Sequence, residues 1–261
     1  MLMLPRQELL QGVENRDDIA RIVDKAEQAI KTRFVVLTDF LSPTVLAEVK
    51  QVFGRLTEIN FCQWGGYPQA ERQRVALARE EIPLEESQIE LAVLDIAGNF
   101  LFDSATHRDF LGAVLNTGLV REKIGDIIVL GERGAQVIVV PEIAQFLESN
   151  LVQVRSVTVK TKAIDLGELK FRPPQKKEMT TVEASMRLDA IASAGFGMSR
   201  SKMASAISAG DVRINWQEVT QSSYALKSGD LVSMRGKGRL EVGEVMVTKK
   251  QRYRIKLTRY K

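Results

Sequence analysis

Apolar residues recur at helical spacing over residues 15–31 (Ile19, Ile22, Val23, Ala26, Ile30), which predicts a first amphipathic helix. The run Phe34-Val35-Val36-Leu37 then predicts a short buried strand. Ser42-Pro43 marks a helix start, because serine caps and proline fits the first helical position; that helix is expected to reach about Leu56. Residues 59–64 and 72–78 read as strands, separated by Gly65-Gly66 and Pro68. Together these elements make a small α/β domain over residues 1–80.

A second domain is expected over residues 81–170. It comprises a strand at 89–97, a helix at 103–119, strands at 127–130 and 136–140 joined by a turn at 131–135, a helix at 141–149 and an alternating strand at 152–162. The order βαββαβ is that of the ferredoxin-like (RRM-like) split unit. Residues 163–179, containing Arg172-Pro173-Pro174-Gln175-Lys176-Lys177, read as a linker because the stretch is polar and broken by proline.

Beyond the linker, residues 182–194 predict a helix and Gly195-Phe196-Gly197 a turn. Residues 199–209 predict a second helix, ended by Gly210. Strands are expected at 212–215, near 219–225 and at 231–234. The final stretch sets Tyr253, Ile255 and Leu257 against Arg252, Arg254 and Lys256, which at period two is a strand with one buried and one basic face. The fold class is therefore α+β in three modules, the third spanning 180–261.

Composition adds boundaries to this picture. With 44% apolar and 27% charged residues the chain has the profile of a soluble globular protein. No apolar run approaches the roughly 20 residues that span a bilayer, so no membrane partner is expected. Met1-Leu2-Met3-Leu4-Pro5 runs at once into charged residues and lacks a signal-peptide core, and a cytoplasmic location is expected. The single cysteine, Cys62, excludes an intrachain disulfide; with a single histidine, His107, it also excludes a His/Cys zinc site. No EF-hand-like spacing appears, and neither a metal nor a cofactor is expected.

The net charge of +4 is uninformative until it is divided. Residues 171–261 hold 18 Lys and Arg against 8 Asp and Glu, a net of +10, whereas the rest of the chain nets −6. Segregation on this scale points to an anionic partner at one end. The candidate centre is Ser199-Arg200-Ser201-Lys202, at the head of a predicted helix. Two cations in a first helical turn oppose the macrodipole, and they make sense where an anion sits on the free amides. Arg187, Arg213, Asn215, Lys227, Arg235, Lys237 and Arg239 lie close by in sequence and join the candidate RNA-binding set, as do Arg252, Arg254 and Lys256.

Enzyme-like strings weigh little. His107-Arg108-Asp109 lacks a kinase phosphate loop and metal-binding Asp-Phe-Gly, and Thr106 with Asp109 reads better as a capping box. Arg187-Leu188-Asp189 looks like a pseudouridine synthase catalytic loop but has no catalytic domain around it, so Asp189 is read as structural. Gly195-x-Gly197 lacks the third glycine and preceding strand of a dinucleotide fingerprint. Trp64, Trp216 and Tyr224 are assigned to packing rather than base stacking. No catalytic residue is named; an RNA-modifying enzyme and a protein-assembly adaptor stay open as alternatives.

The text from Met186-Arg187-Leu188-Asp189 through Ser199-Arg200-Ser201 and Gly210-Asp211-Val212-Arg213-Ile214-Asn215 to Leu226-Lys227-Ser228-Gly229-Asp230 resembles the S4 RNA-binding domain family. One departure is Trp216-Gln217, where that family usually turns on glycine. Upstream, Thr106-His107-Arg108-Asp109-Phe110-Leu111-Gly112 and Arg121-Glu122-Lys123-Ile124-Gly125-Asp126-Ile127 resemble the middle domain of the YlmH family, whose cyanobacterial members include photosystem II S4 domain proteins. No residue speaks to a photosystem. The resemblance implies a non-catalytic factor that binds structured RNA, rRNA or tRNA, on the large ribosomal subunit during rescue of obstructed subunits. Nothing in the sequence fixes the oligomeric state; a monomer is expected.

Overall fold

The computed structural model describes residues 4–171, 173 and 175–260. Met1, Leu2 and Met3 of the N-terminal stretch, Arg172 and Pro174 of the expected linker, and Lys261 lie outside them. The chain divides into two compact units, residues 1–171 and 172–261.

The first unit begins with α1 (Arg6–Leu9) and α2 (Arg16–Thr32). Then come β1 (Val36–Leu37), α3 (Pro43–Phe53), β2 (Ile59–Trp64) and β3 (Arg74–Arg79). The strands form an antiparallel sheet in the order β1-β3-β2. The apolar stripe of α2 and the inner face of α3 pack on it around Ile19, Val23, Val49, Phe53 and Leu77. Ser42 caps α3 as its sequence predicts, its side chain accepting from the Val45 amide.

The chain continues through β4 (Ala92–Ala97), α4 (His107–Asn116), β5 (Ile124–Val129), β6 (Gly134–Val139), α5 (Ala144–Asn150), β7 (Gln153–Val154), β8 (Val157–Thr158) and β9 (Lys160–Ile164). Sheet order is β5-β6-β4-β9, every pair antiparallel, which is the ferredoxin-like arrangement that the element order implied. The single strand expected at 152–162 is instead the hairpin β7–β8 followed by β9, because Arg155 takes φ +56 and reverses the chain. Asp109 accepts from the Thr106 amide at 2.8 Å, so the cap forms, and it starts the helix later than residue 103.

The two sheets of this unit are joined through a second apolar layer. Phe40, next to β1, is buried with Val93, Ile138, Val140 and Leu169. Its ring lies where a side chain at Gly125 would go: a Cβ there would stand 2.7 Å from it. Arg72 donates to the carbonyls of Ile124 (2.9 Å), Phe40 (2.9 Å) and Arg121 (3.3 Å). Burial, and then the neighbouring Arg72, push the Arg121 guanidinium down to about 10, still charged at neutral pH. Asp126 accepts from Tyr67, Glu71 and Arg72 across the same boundary.

The second unit opens on β10 (Lys176–Glu183), then α6 (Leu188–Phe196), α7 (Arg200–Ser208), β11 (Val212–Ile214), β12 (Gln217–Glu218), β13 (Leu231–Met234), β14 (Gly238–Val247) and β15 (Tyr253–Tyr260). One antiparallel sheet runs β10-β15-β14-β13-β11-β12. Both helices cover one of its faces, burying Leu188, Ile191, Phe196, Met203 and Ile207 on Val212, Val232, Leu240, Val242, Ile255 and Leu257. Contact is tight: a Cβ on Gly195 would stand 2.2 Å from the Leu240 side chain, so glycine sets how closely α6 meets β14.

Three expectations for this unit are corrected. The end of the expected linker and the start of the expected helix form β10, since Met179 and Thr181 alternate with exposed Glu178, Thr180 and Val182 and pair with β15. The helix therefore begins only at Leu188, with Arg187 as its N-cap rather than inside it. Residues near 219–225 form no strand beyond the two-residue β12. Their carbonyls serve α6 instead: Tyr224 and Ser222 accept from the otherwise unpaired Leu188 and Asp189 amides at 2.8 and 3.1 Å. The ten-residue β14 was not foreseen at all.

Candidate nucleic-acid interface

Ser199 ends the turn after α6 and caps α7, its Oγ accepting from the Lys202 amide at 3.3 Å. Buried Met203 and Ile207 fix that helix on the sheet, so its first turn, with Arg200, Ser201 and Lys202, is held outward and exposed. The Ser201 hydroxyl lies 3.2 Å from that of Ser199. Free amides, two hydroxyls and two cations thus share one helix end whose dipole is positive. Such an arrangement favours a bound anion.

Arg187 joins this group through Asp189. The carboxylate, in the first turn of α6, accepts from Arg187 Nε and Nη2 at 3.0 and 3.1 Å and lies 3.6 Å from Arg200 Nη2. Hydrogen bonds from Arg187 hold the Asp189 carboxyl below the usual aspartate range against the opposing pull of burial, and the charges of Arg187 and Arg200 add to the shift. Asp189 thus holds the Arg187 and Arg200 side chains next to each other. A group with a depressed folded pKa contributes stability that is complete above its unfolded value, near 4, and is lost as pH falls through the folded value. The Arg187 side-chain NMR signals are therefore expected to stay constant between neutral pH and about pH 5 and to move only below about 4. A shift centred near neutral pH would contradict the latch.

The other candidates fall elsewhere. Arg213, Arg239, Arg254 and Lys256 alternate with buried positions on their strands, so they point from the sheet face opposite the helices. Cross-strand register aligns Lys176, Tyr260, Arg239, Ser233 and Arg213 in one row. Arg239 stacks over the Trp216 ring at 5.1 Å, and Lys176 lies 5.7 Å from the Tyr260 ring. This face is less basic than the alternation of the last strand implied. Lys256 is paired with Glu244 at 2.6 Å, Tyr260 donates to Glu241 at 2.5 Å, and Glu178 shares the surface. The Glu241 hydrogen bond, with burial, raises the Tyr260 phenol to about 12.

Asn215 and Lys227 meet at Asp230. The Asn215 amide donates to Asp230 Oδ1 and its oxygen accepts from the Leu231 amide, both at 2.9 Å, while the Lys227 backbone amide donates to Asp230 Oδ2. The Asn215 side chain is thereby committed to a turn in which it and Trp216 both take positive φ, +48 and +74. Two non-glycine residues thus take the left-handed conformation that glycine adopts most readily. Arg235 and Lys237 stand in the β13–β14 turn, and Arg252 in the turn before β15. One basic residue not read from sequence is turned inward: Arg259 donates to the last α6 carbonyl, of Phe196, at 3.2 Å and lies over that ring at 5.3 Å. Extending the alternation two residues past Leu257 would have found it on the helix side.

Among the described residues no helix is long and apolar enough to cross a membrane, and no group of three or more His, Cys, Asp and Glu side chains is placed to hold a metal ion.

Comparison with known proteins finds three family models along the chain. Residues 14–82 match the family described as YlmH, N-terminal, residues 84–168 the putative RNA-binding domain in YlmH, and residues 186–232 the S4 domain. The ribosome-associated protein quality control protein P2 of Bacillus subtilis (strain 168) is 35% identical over 226 residues, which cover 86% of this chain and 87% of that protein. A solved structure, cell division protein ylmH from Streptococcus pneumoniae, aligns with a TM-score of 0.50 at 22% identity, covering 62% of this chain and 96% of that one. At that identity the likeness concerns the fold alone.

Proposed function

The chain belongs to the YlmH family, and on that footing we propose that it is a non-catalytic RNA-binding factor that grips structured RNA with the start of α7. The observation that carries this reading is the convergence of Arg187, Arg200, Lys202, two serine hydroxyls and the free amides of α7 at one exposed point of the S4 module. Tyr224, exposed next to the Arg187–Ala225 bridge, is a single ring and not a stacking platform, so recognition is chiefly of RNA shape and phosphate. The name of the Bacillus relative supports a ribosomal setting, and we extend it to rRNA or tRNA on the large subunit.

If about five phosphates are neutralised, log affinity falls with log salt with a slope of roughly −3 to −5. A titration of binding against potassium chloride checks this, and a flat line contradicts an electrostatic grip. Crosslinking in cells followed by sequencing of the attached RNA tests the setting. Enrichment at one large-subunit rRNA site is the expected result; scattered messenger RNA refutes it. RNA recovered after incubation with the protein is expected to be chemically unchanged by mass spectrometry, and a reproducible modification would replace the binding factor with an enzyme.

A further inference from the structure

The apolar positions of the ferredoxin-like sheet are covered on both faces. On one side Leu94, Ile96 and Val137 pack beneath α4 and α5. The opposite side is the one on which an RRM stacks bases, using aromatic side chains of the two central strands. Here the central strands β4 and β6 present Val93 and Ile138 instead, and both are buried beneath Phe40 and Leu169, with Tyr67 stacked on Phe171 at 5.0 Å alongside. Open to a polymer are the end of this face at Ala97, Lys160 and Lys162, which carries no aromatic ring to stack on, and the helical side with its loops.

That side carries an open cleft of about 640 Å³, within the size range of ligand sites. Arg108, Gly112 and Asn116 of α4 form one wall, and Asn150, Gln153 and Arg155 the other. Nothing lies within 4 Å of the place a Gly112 Cβ would take, so the helix backbone is open to close approach. The acidic groups of this region are occupied within the fold. Asp109 accepts from Thr106 and Arg155, and Asp103 from Arg155 and Ser156. Arg108 is exposed and pairs with no carboxylate among the described residues. The charge left for a partner is positive.

The loop held by Asp103 adds a second element. Phe100 turns inward, edge-on to Phe110 at 5.2 Å, and Asp103 ties the other end to Arg155 and the Ser156 hydroxyl. Between these anchors Leu101 and Phe102 face solvent, and the Phe102 ring is 93% exposed. Leu101 and Phe102 together offer a partner apolar surface on a loop whose ends are fixed.

We propose that this cleft and loop tip are a second RNA site, which takes a single-stranded segment: Phe102 stacks on a base, Arg108 neutralises a backbone phosphate, and the polar cleft walls line the ribose chain. An aromatic can stack only on a base that is not already stacked in a duplex, which selects single strands. The inference rests on the reading of the chain as an RNA-binding factor and adds a place and a strandedness to it.

The test uses the full chain with Arg200→Glu and Lys202→Glu, to silence the α7 site, and a short fluorescein-labelled single-stranded RNA of mixed sequence followed by anisotropy. Residual binding is expected, weakened about ten-fold by Phe102→Ala and by Arg108→Glu, and restored in the first case by Phe102→Trp. Ultraviolet crosslinks should map to the peptide holding residues 99–108. Equal affinity of all variants, crosslinks confined to the second unit, or capture of a protein at Phe102 in place of RNA would overturn the proposal. Wild-type chain against a stem-loop RNA separates the two failures. No binding there defeats the RNA reading as a whole, whereas wild-type binding with an inert Phe102 defeats only the second site.

Discussion

Replacing Arg200 and Lys202 together by glutamate is expected to weaken binding of the full chain to a stem-loop RNA by about a hundred-fold or more, equivalent to about 2.7 kcal/mol. Both residues project from the first turn of α7, where the bound phosphate would meet two carboxylates in place of two cations. The same change is expected to move stability little, because acidic side chains complement a helix N-terminus while the Arg200 contact to Asp189 is lost. A large loss of affinity with a small change in melting separates a lost contact from a lost fold. Filter binding with a parallel thermal melt reads both. Unchanged affinity would remove the site, and a collapsed melt would show that the residues hold the domain together instead.

Phe40→Ala is expected to destabilise the first unit by about 3–5 kcal/mol, the usual cost of emptying a phenylalanine site in a packed core. The side chain is 1% exposed, sits over Gly125, and comes from the chain beside β1 while its neighbours Val93, Ile138 and Leu169 belong to the ferredoxin-like half. Urea unfolding should show the loss as a lower midpoint. Phe34→Ala, at a ring 74% exposed, should move it by no more than about 0.5 kcal/mol. Equal effects at the two positions would mean that the apolar layer does not couple the halves.

Much of this layout is legible in the sequence, for reasons that differ by element. The α2 stripe, the Ser42-Pro43 start, the Ser199 cap and the βαββαβ order are written in local periodicity and capping, so they need no knowledge of distant neighbours. Strand β14 is the opposite case: Gly238, Gly243 and Glu244 break its alternation, and a bulge between Val242 and Val245 shifts its face. Only pairing to β13 and β15 makes it a strand. Loop 219–225 reads as extended from its residue types, but it turns at residues 221–224 and its carbonyls go to a helix start. At the candidate interface the α7 cluster was readable because serine and two cations at a helix head are locally unusual. The division of the remaining basic residues between faces and turns was not, since it follows from long-range register and from partners such as Glu244 and Asp230.

The pairing of β10 with β15 carries a consequence for synthesis. Lys176 opposes Tyr260 and Glu183 opposes Tyr253, so the first strand of the second unit finds its neighbour only in the last. While a nascent chain is still short of residues 253–260, β10 has no partner and β14 keeps an unprotected edge. Contacts of such long sequence separation form slowly and late. Newly made copies therefore complete the sheet of the second unit only after translation has passed Tyr260, and a polypeptide that stalls before that point carries an open sheet edge prone to aggregation.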